Sequence, residues 1–156
     1  MSYEIVRRLD NRAICSMVLC GTEVVKPLFP MKPRILLVED DEFIGPLVKT
    51  VLSSAGYDVE VAGKLEDVKT LDPFGFSAVI SDFQLPGADG CDVIDYMRSK
   101  APGIPAMLIS GYGNWAAENC VSRGMENVQH LEKPFRADQL LHRVETLLPT
   151  GACPET

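Results

Sequence analysis

The chain has 156 residues, 46% hydrophobic and 24% charged, which is the make-up of one compact globular domain and excludes a disordered or fibrous segment. Its net charge of −7 argues against unaided nucleic-acid binding, which needs a basic footprint to meet phosphates. No apolar run approaches the ~20 residues needed to cross a bilayer, so no membrane span is expected.

The first 31 residues are near neutral. Arg7, Arg8 and Arg12 precede the apolar run Ala13 to Gly21, a faint imitation of a secretory leader. Asp10 interrupts the basic part and no small-residue cleavage site follows. Residues 1–31 are therefore expected to be an N-terminal extension, either disordered or produced by a start upstream of Met31. Pro27, Pro30 and Pro33 mark the passage into the domain proper, expected over 32–149, with 150–156 a short tail. Residues 32–149 carry 18 Asp and Glu against 11 Lys and Arg, so the acidity belongs to the domain.

Arg34 to Val38 is a continuous apolar run of strand length, the pattern of a strand buried on both faces. From Glu42 to Ala55, apolar residues recur at helical spacing until Gly56, and Pro46 fits only near the first turn. Tyr57 to Ala62 reads as a strand and Leu65 to Leu71 as a short helix. Ser77 to Ser81 is a further buried strand, running into the turn-rich Pro86 to Gly90. Val93, Ile94 and Met97 mark a helix that ends before Pro102. Ala106 to Ile109 is the fourth strand, Asn114 to Arg123 a helix, Val128 to Leu131 the fifth strand and Phe135 to Leu148 the last helix. Five strands alternating with five helices predict an α/β fold, a parallel sheet covered by helices on both faces. Such sheets bind ligands beyond the carboxyl ends of their strands.

Those ends carry a consistent chemistry. The first strand runs into Glu39-Asp40-Asp41, the third into Asp82, the fourth into Ser110 and the fifth into Lys133. Taken singly, a carboxylate after a strand is commonly a helix cap, a serine a turn former and a lysine a solvated surface group. Together at one edge they make a different set. Neighbouring carboxylates repel, and a hard divalent cation such as Mg²⁺ relieves that conflict while leaving room for a phosphate oxygen. A carboxylate beside such an ion can attack phosphorus to form an acyl phosphate, with Lys133 and the Ser110 hydroxyl meeting the transferred group.

Ile35 to Glu42, Val79 to Gly90 (with Ser81-Asp82-Phe83 and Pro86-Gly87), Leu108-Ile-Ser-Gly111 and Lys133-Pro-Phe135 together resemble the receiver domains of two-component response regulators, over about residues 32–149. The resemblance implies a flavodoxin-like (βα)5 sandwich with strand order 2-1-3-4-5. It implies Asp82 as phosphoacceptor, Glu39 and Asp40 as the acidic pair at Mg²⁺ and the Gln84 backbone carbonyl as a further metal contact. Ser110 takes the place of the switch hydroxyl and Lys133 that of the phosphate-bridging lysine, followed by a cis peptide at Pro134. Asp41 is expected to cap the first helix. His130 stands where many members carry a switch Tyr or Phe, and is either an imidazole at the surface of the fifth strand or a rotamer switch. Gln84 and Tyr112 border the path of attacking water, and Trp115 is expected on a helix surface.

The resemblance further implies a phosphoacceptor that assists its own phosphorylation and dephosphorylation rather than an enzyme, in the cytoplasm. Its partners would be a sensor histidine kinase or histidine phosphotransfer protein and a downstream protein target, with no direct nucleic acid and no membrane. With only eight residues after Leu148, no output domain is expected to follow. The face of the fourth helix, fifth strand and fifth helix is the family's contact surface and a candidate homodimer face. Two other readings stand beside this one: a receiver-like protein-binding module that signals without phosphate, and a metal-dependent phosphatase, which would carry its nucleophile in an Asp-x-Asp pair on the first strand. The five cysteines, Cys15, Cys20, Cys91, Cys120 and Cys153, form no C-x-x-C pair, and reduced thiols are expected, with Cys91 and Cys120 as apolar fillers on helices.

Overall fold

The computed structural model describes residues 32–148; the extension over 1–31, the tail over 150–156 and Cys15, Cys20 and Cys153 lie outside the described residues. Strands β1 (Arg34–Val38), β2 (Asp58–Ala62), β3 (Ala78–Asp82), β6 (Ala106–Ser110) and β7 (Val128–Glu132) form one parallel sheet in the order β2-β1-β3-β6-β7. This is the 2-1-3-4-5 order, once the antiparallel hairpin of β4 (Gln84–Leu85) and β5 (Ala88–Asp89) is set aside.

The alternation of side chains along each strand divides the core in two. Ile35 and Leu37 of β1, Ile80 of β3 and Met107 and Ile109 of β6 face one layer. There they meet Val48 and Leu52 of α1 (Ile44–Ser54) and Leu140, Val144 and Leu147 of α5 (Ala137–Leu147). Leu36, Val38, Val79 and Leu108 face the other layer, against Val68 of α2 (Leu65–Val68), Val93, Ile94 and Met97 of α3 (Gly90–Lys100) and Ala116 of α4 (Asn114–Ser122). Because both faces of the central strands are covered, β1, β3 and β6 carry no polar alternation, whereas edge strand β2 (Asp-Val-Glu-Val-Ala) does, and each fully buried Leu or Ile contributes about 1.5–3 kcal/mol. Among the described residues no helix is long and apolar enough to cross a membrane.

The helix starts show how the chain turns off the sheet. Asp41 caps the entry to α1, its Oδ1 accepting from the backbone N–H of Phe43 (2.8 Å) and Ile44 (3.0 Å). Pro46 falls in the first turn of α1, where its missing N–H costs nothing. At α3, Asp89 and Asp92 exchange bonds as a capping box, each backbone N–H donating to the other's carboxylate at 2.9 Å. Gly90 is required there. A Cβ at this position would lie 2.5 Å from the Asp82 carbonyl oxygen and closer still to Leu108 Cδ2. Only a glycine lets the start of α3 press against the end of β3, where Gly90 N–H donates to the Phe83 carbonyl at 2.8 Å.

Two features depart from the sequence reading. The helix expected over Leu65 to Leu71 stops at Val68 and continues as tight i→i+3 turns, where the Thr70 hydroxyl and backbone N–H both bond the Asp67 carbonyl. Residues read only as turn-rich after Asp82 instead form the β4–β5 hairpin around Pro86-Gly87, with Gly87 at φ +75°.

Candidate functional site

The sheet brings the predicted residues to one edge. Glu39 follows β1, its N–H donating to the Ala62 carbonyl across the strands, and Asp82 closes β3. Lys133 follows β7, and its N–H donates to the Ser110 carbonyl at 2.8 Å, which carries the lysine beside the end of β6. The Lys133–Pro134 peptide is cis.

Lys133 Nζ lies 3.1 Å from Glu39 Oε2 and 3.2 Å from Asp82 Oδ2. Carboxylate oxygens of Glu39, Asp40 and Asp82 all fall within 4.8 Å of one another. Glu39 is buried, Asp82 half-buried and Asp40 exposed, so the group opens to solvent on one side. Burial raises the Glu39 pKa above its ordinary value, and the neighbouring Asp82 carboxylate adds to the effect; Lys133 and the Asp41 N–H at 3.3 Å only partly offset them. Burial acts on Lys133 in the opposite sense, but its bond to Glu39 and the charge of Asp82 outweigh it, so the ammonium is held charged. Lys133 thus pairs with two of the three clustered carboxyl groups, a deficit of positive charge that suits a hard divalent cation with oxygen ligands.

Ser110 is buried at the end of β6, and its Oγ accepts from the Tyr112 N–H at 3.0 Å. Among the described residues the hydroxyl donates to no protein acceptor, and the Tyr112 bond ties its oxygen to the loop that leads into α4. That loop holds Gly113 at φ +53°, immediately before α4. Gln84 lies in the β4–β5 hairpin; with Asp40, Phe83, Leu85, Asp89 and Trp115 it lines an open cleft of about 530 Å³ beside the carboxylates. Trp115 stands half-exposed on α4, edge-on to Phe83 (ring centroids 5.1 Å) and to the exposed Tyr112 (6.1 Å). His130 is half-buried on β7 opposite Leu108 of β6. Burial lowers its pKa, with a further contribution from Arg143, both favouring the neutral imidazole.

The structure also shows contacts that sequence reasoning missed. Arg123, at the end of α4, pairs with Asp92 at 2.9 Å and with Asp89, the two residues of the α3 capping box. Arg98 of α3 donates to the carbonyls of Glu126 (2.7 Å) and Asn127 (3.1 Å) in the loop between α4 and β7. Cys91 and Cys120 touch. These pairs are 28–34 residues apart in sequence and leave no local pattern to read.

A family model for the response regulator receiver domain matches residues 35–145. The chain is similar to the nitrogen assimilation regulatory protein NtrX of Azorhizobium caulinodans, 32% identical over 127 residues that make up 77% of this chain and 27% of that protein. It is similar to the transcriptional regulatory protein CusR of Escherichia coli K12, 34% identical over 122 residues, 76% of this chain and 52% of that one. The chain therefore spans between about a quarter and a half of the length of these relatives. Among solved structures, the non-phosphorylated HemR receiver domain from Leptospira biflexa matches with a TM-score of 0.66 and 31% identity, covering 74% of this chain and 94% of that one. The receiver domain of NtrX from Brucella abortus matches with a TM-score of 0.65 and 31% identity, covering 75% and 99%.

Proposed function

Because the chain belongs to the response regulator receiver domain family and so to phosphorylation-dependent two-component signalling, we propose that Asp82 is its phosphoacceptor. The observation that carries this reading is the position of Asp82 at the end of β3, within reach of Glu39 and Asp40 and 3.2 Å from Lys133.

In this reading an Asp82 carboxylate oxygen attacks the phosphorus of a phosphohistidine on a sensor kinase or phosphotransfer protein. The P–O bond forms as the P–N bond breaks, and the imidazole nitrogen leaves and takes up a proton. Glu39, Asp40, Asp82 and the Gln84 backbone carbonyl would hold Mg²⁺, which supplies positive charge against the phosphoryl oxygens. Lys133, already charged, reaches from Asp82 to the new phosphate. Ser110 donates its free proton to a phosphate oxygen and draws the Gly111–Gly113 loop after it. His130 then acts as the switch residue, turning toward the space that Ser110 leaves. The chain is a switch rather than a turnover enzyme, acts in the cytoplasm and passes its state to a protein target through α4, β7 and α5, a face that also serves for self-association.

Intact mass after incubation with acetyl phosphate tests the assignment. One phosphoryl group should be gained with Mg²⁺, and none with EDTA or in Asp82→Asn. A folded, Mg²⁺-binding protein that gains nothing from acetyl phosphate or from a histidine kinase would reject it in favour of a phosphate-independent binding module. Steady phosphate release from a monoester, dependent on Asp40, would favour a phosphatase instead.

A further inference from the structure

Cys91 and Cys120 come from different helices and meet across 29 residues of sequence, their Sγ atoms 2.9 Å apart. Cys91 sits in the first turn of α3 and Cys120 in the last turn of α4, and both side chains are buried. A disulfide has an S–S length of about 2.05 Å, so closing one here needs an approach of about 0.9 Å. The surrounding contacts already hold the two helix ends in place. Arg123, three residues beyond Cys120, is tied to Asp89 and Asp92, which flank Cys91. The cysteines are thus more than filler in the core: two nucleophilic atoms are positioned together with no other described cysteine to compete.

We propose that Cys91 and Cys120 form a reversible dithiol–disulfide pair, closed by a small hydroperoxide, that staples α4 to the start of α3. Cys120 is the attacking member. Burial raises both thiols above their ordinary range, but for Cys120 the bond from Cys91 and the charges of Arg123 and Arg98 act against burial, while the Asp89 charge acts with it. For Cys91, burial and the contact with Cys120 act in the same direction and push its thiol far up. The Cys120 thiolate attacks one peroxide oxygen, the O–O bond breaks, and the departing oxygen takes up a proton to leave as water or alcohol. The Cys91 sulfur then attacks the sulfenic sulfur; the S–O bond breaks and the hydroxide leaves with the Cys91 proton as water. Each sulfur gives up one electron and the peroxide gains two. Both sulfurs are buried, so peroxide reaches them only through local opening at the Arg123-pinned end of α4, a route that a small hydroperoxide passes more readily than a bulky disulfide such as oxidised glutathione.

The consequence falls on α4. Its first turn follows the Ser110–Gly113 loop and carries Trp115, whereas its last turn would be bonded to α3. Oxidation is independent of the carboxylate site, so it can be tested without phosphorylation. The full chain is treated with hydrogen peroxide, denatured, blocked with N-ethylmaleimide and digested without reduction. A Cys91–Cys120 cross-linked peptide, lost on dithiothreitol treatment, is the expected product. In native-state hydrogen exchange, α4 amides should slow about tenfold on oxidation, an effect absent in Cys91→Ala. Full N-ethylmaleimide labelling of both residues after peroxide, or their pairing with other cysteines, overturns the proposal. So does a cross-link that leaves α4 exchange unchanged.

Discussion

The same substitution at two helix-opening glycines should have opposite signs. Gly45 is the second residue of α1 and Gly90 the first of α3. A Cβ on Gly45 would lie 3.6 Å from Val61 Cγ1 and 3.7 Å from Glu39 Cγ, ordinary contact distances. Gly45→Ala then removes backbone freedom from the unfolded chain at no steric cost, and a stabilisation of about 0.5–1 kcal/mol is expected. At Gly90 the same methyl meets the Asp82 carbonyl oxygen, which belongs to a central strand and cannot turn away as a side chain could. The start of α3 must retreat, stretching the Gly90–Phe83 bond. Overpacking costs about 1–3 kcal/mol and the weakened hydrogen bond up to about 1 more, so Gly90→Ala should lose about 2–4 kcal/mol. A domain of typical stability, about 5–15 kcal/mol, remains folded after that loss. Urea unfolding followed by Trp115 fluorescence reads both changes as midpoint shifts at constant slope. Shifts of the same sign, or a Gly90→Ala effect under about 0.5 kcal/mol, would refute the steric reasoning.

Three further outcomes follow from the charged groups. Lys133→Ala leaves buried Glu39 without its partner, so the metal-free protein should lose about 1–3 kcal/mol, with Mg²⁺ restoring part of it; phosphorylation should no longer change Trp115 fluorescence, and an intact change would make Lys133 structural only. Arg123→Ala removes two partly exposed ion pairs and should cost about 1 kcal/mol or less in urea unfolding, while speeding hydrogen exchange in the last turn of α4. The Asp92 pKa is lowered below its ordinary 3.8, first by the Asp89 backbone N–H and then by Arg123. Its stabilisation is therefore complete above that ordinary value and is lost as pH falls through the lower folded one. Thermal unfolding between pH 6 and pH 3 should show a smaller decline in Asp92→Asn than in the native chain.

The sequence was most readable where burial is two-sided. Ile35 to Val38 and Ala78 to Ile80 are uninterrupted apolar runs because helices cover both faces of the sheet, and the strand ends then place Glu39, Asp82, Ser110 and Lys133 at one edge. Asp41 was legible as a cap because its bonds are local. The end of α2 was not, since a single Thr70 hydroxyl competes there with helix propagation. The two-residue strands of the hairpin are too short to show a period. The Arg123 and Arg98 bonds and the cysteine contact depend on how α3 and α4 lie against each other, which no local spacing encodes.

The place of β1 in the sheet also bears on the order in which the molecule is made. β1 pairs with β2 on one edge and with β3 on the other, Val38 meeting Ala62 on the first and Ser81 on the second. During synthesis the first edge can close once Ala62 has left the ribosome. The second stays open until Ser81 emerges. For that interval one of the most apolar segments of the chain presents bare backbone donors and acceptors, and the wait for β3 is when a neighbouring nascent chain could pair there instead.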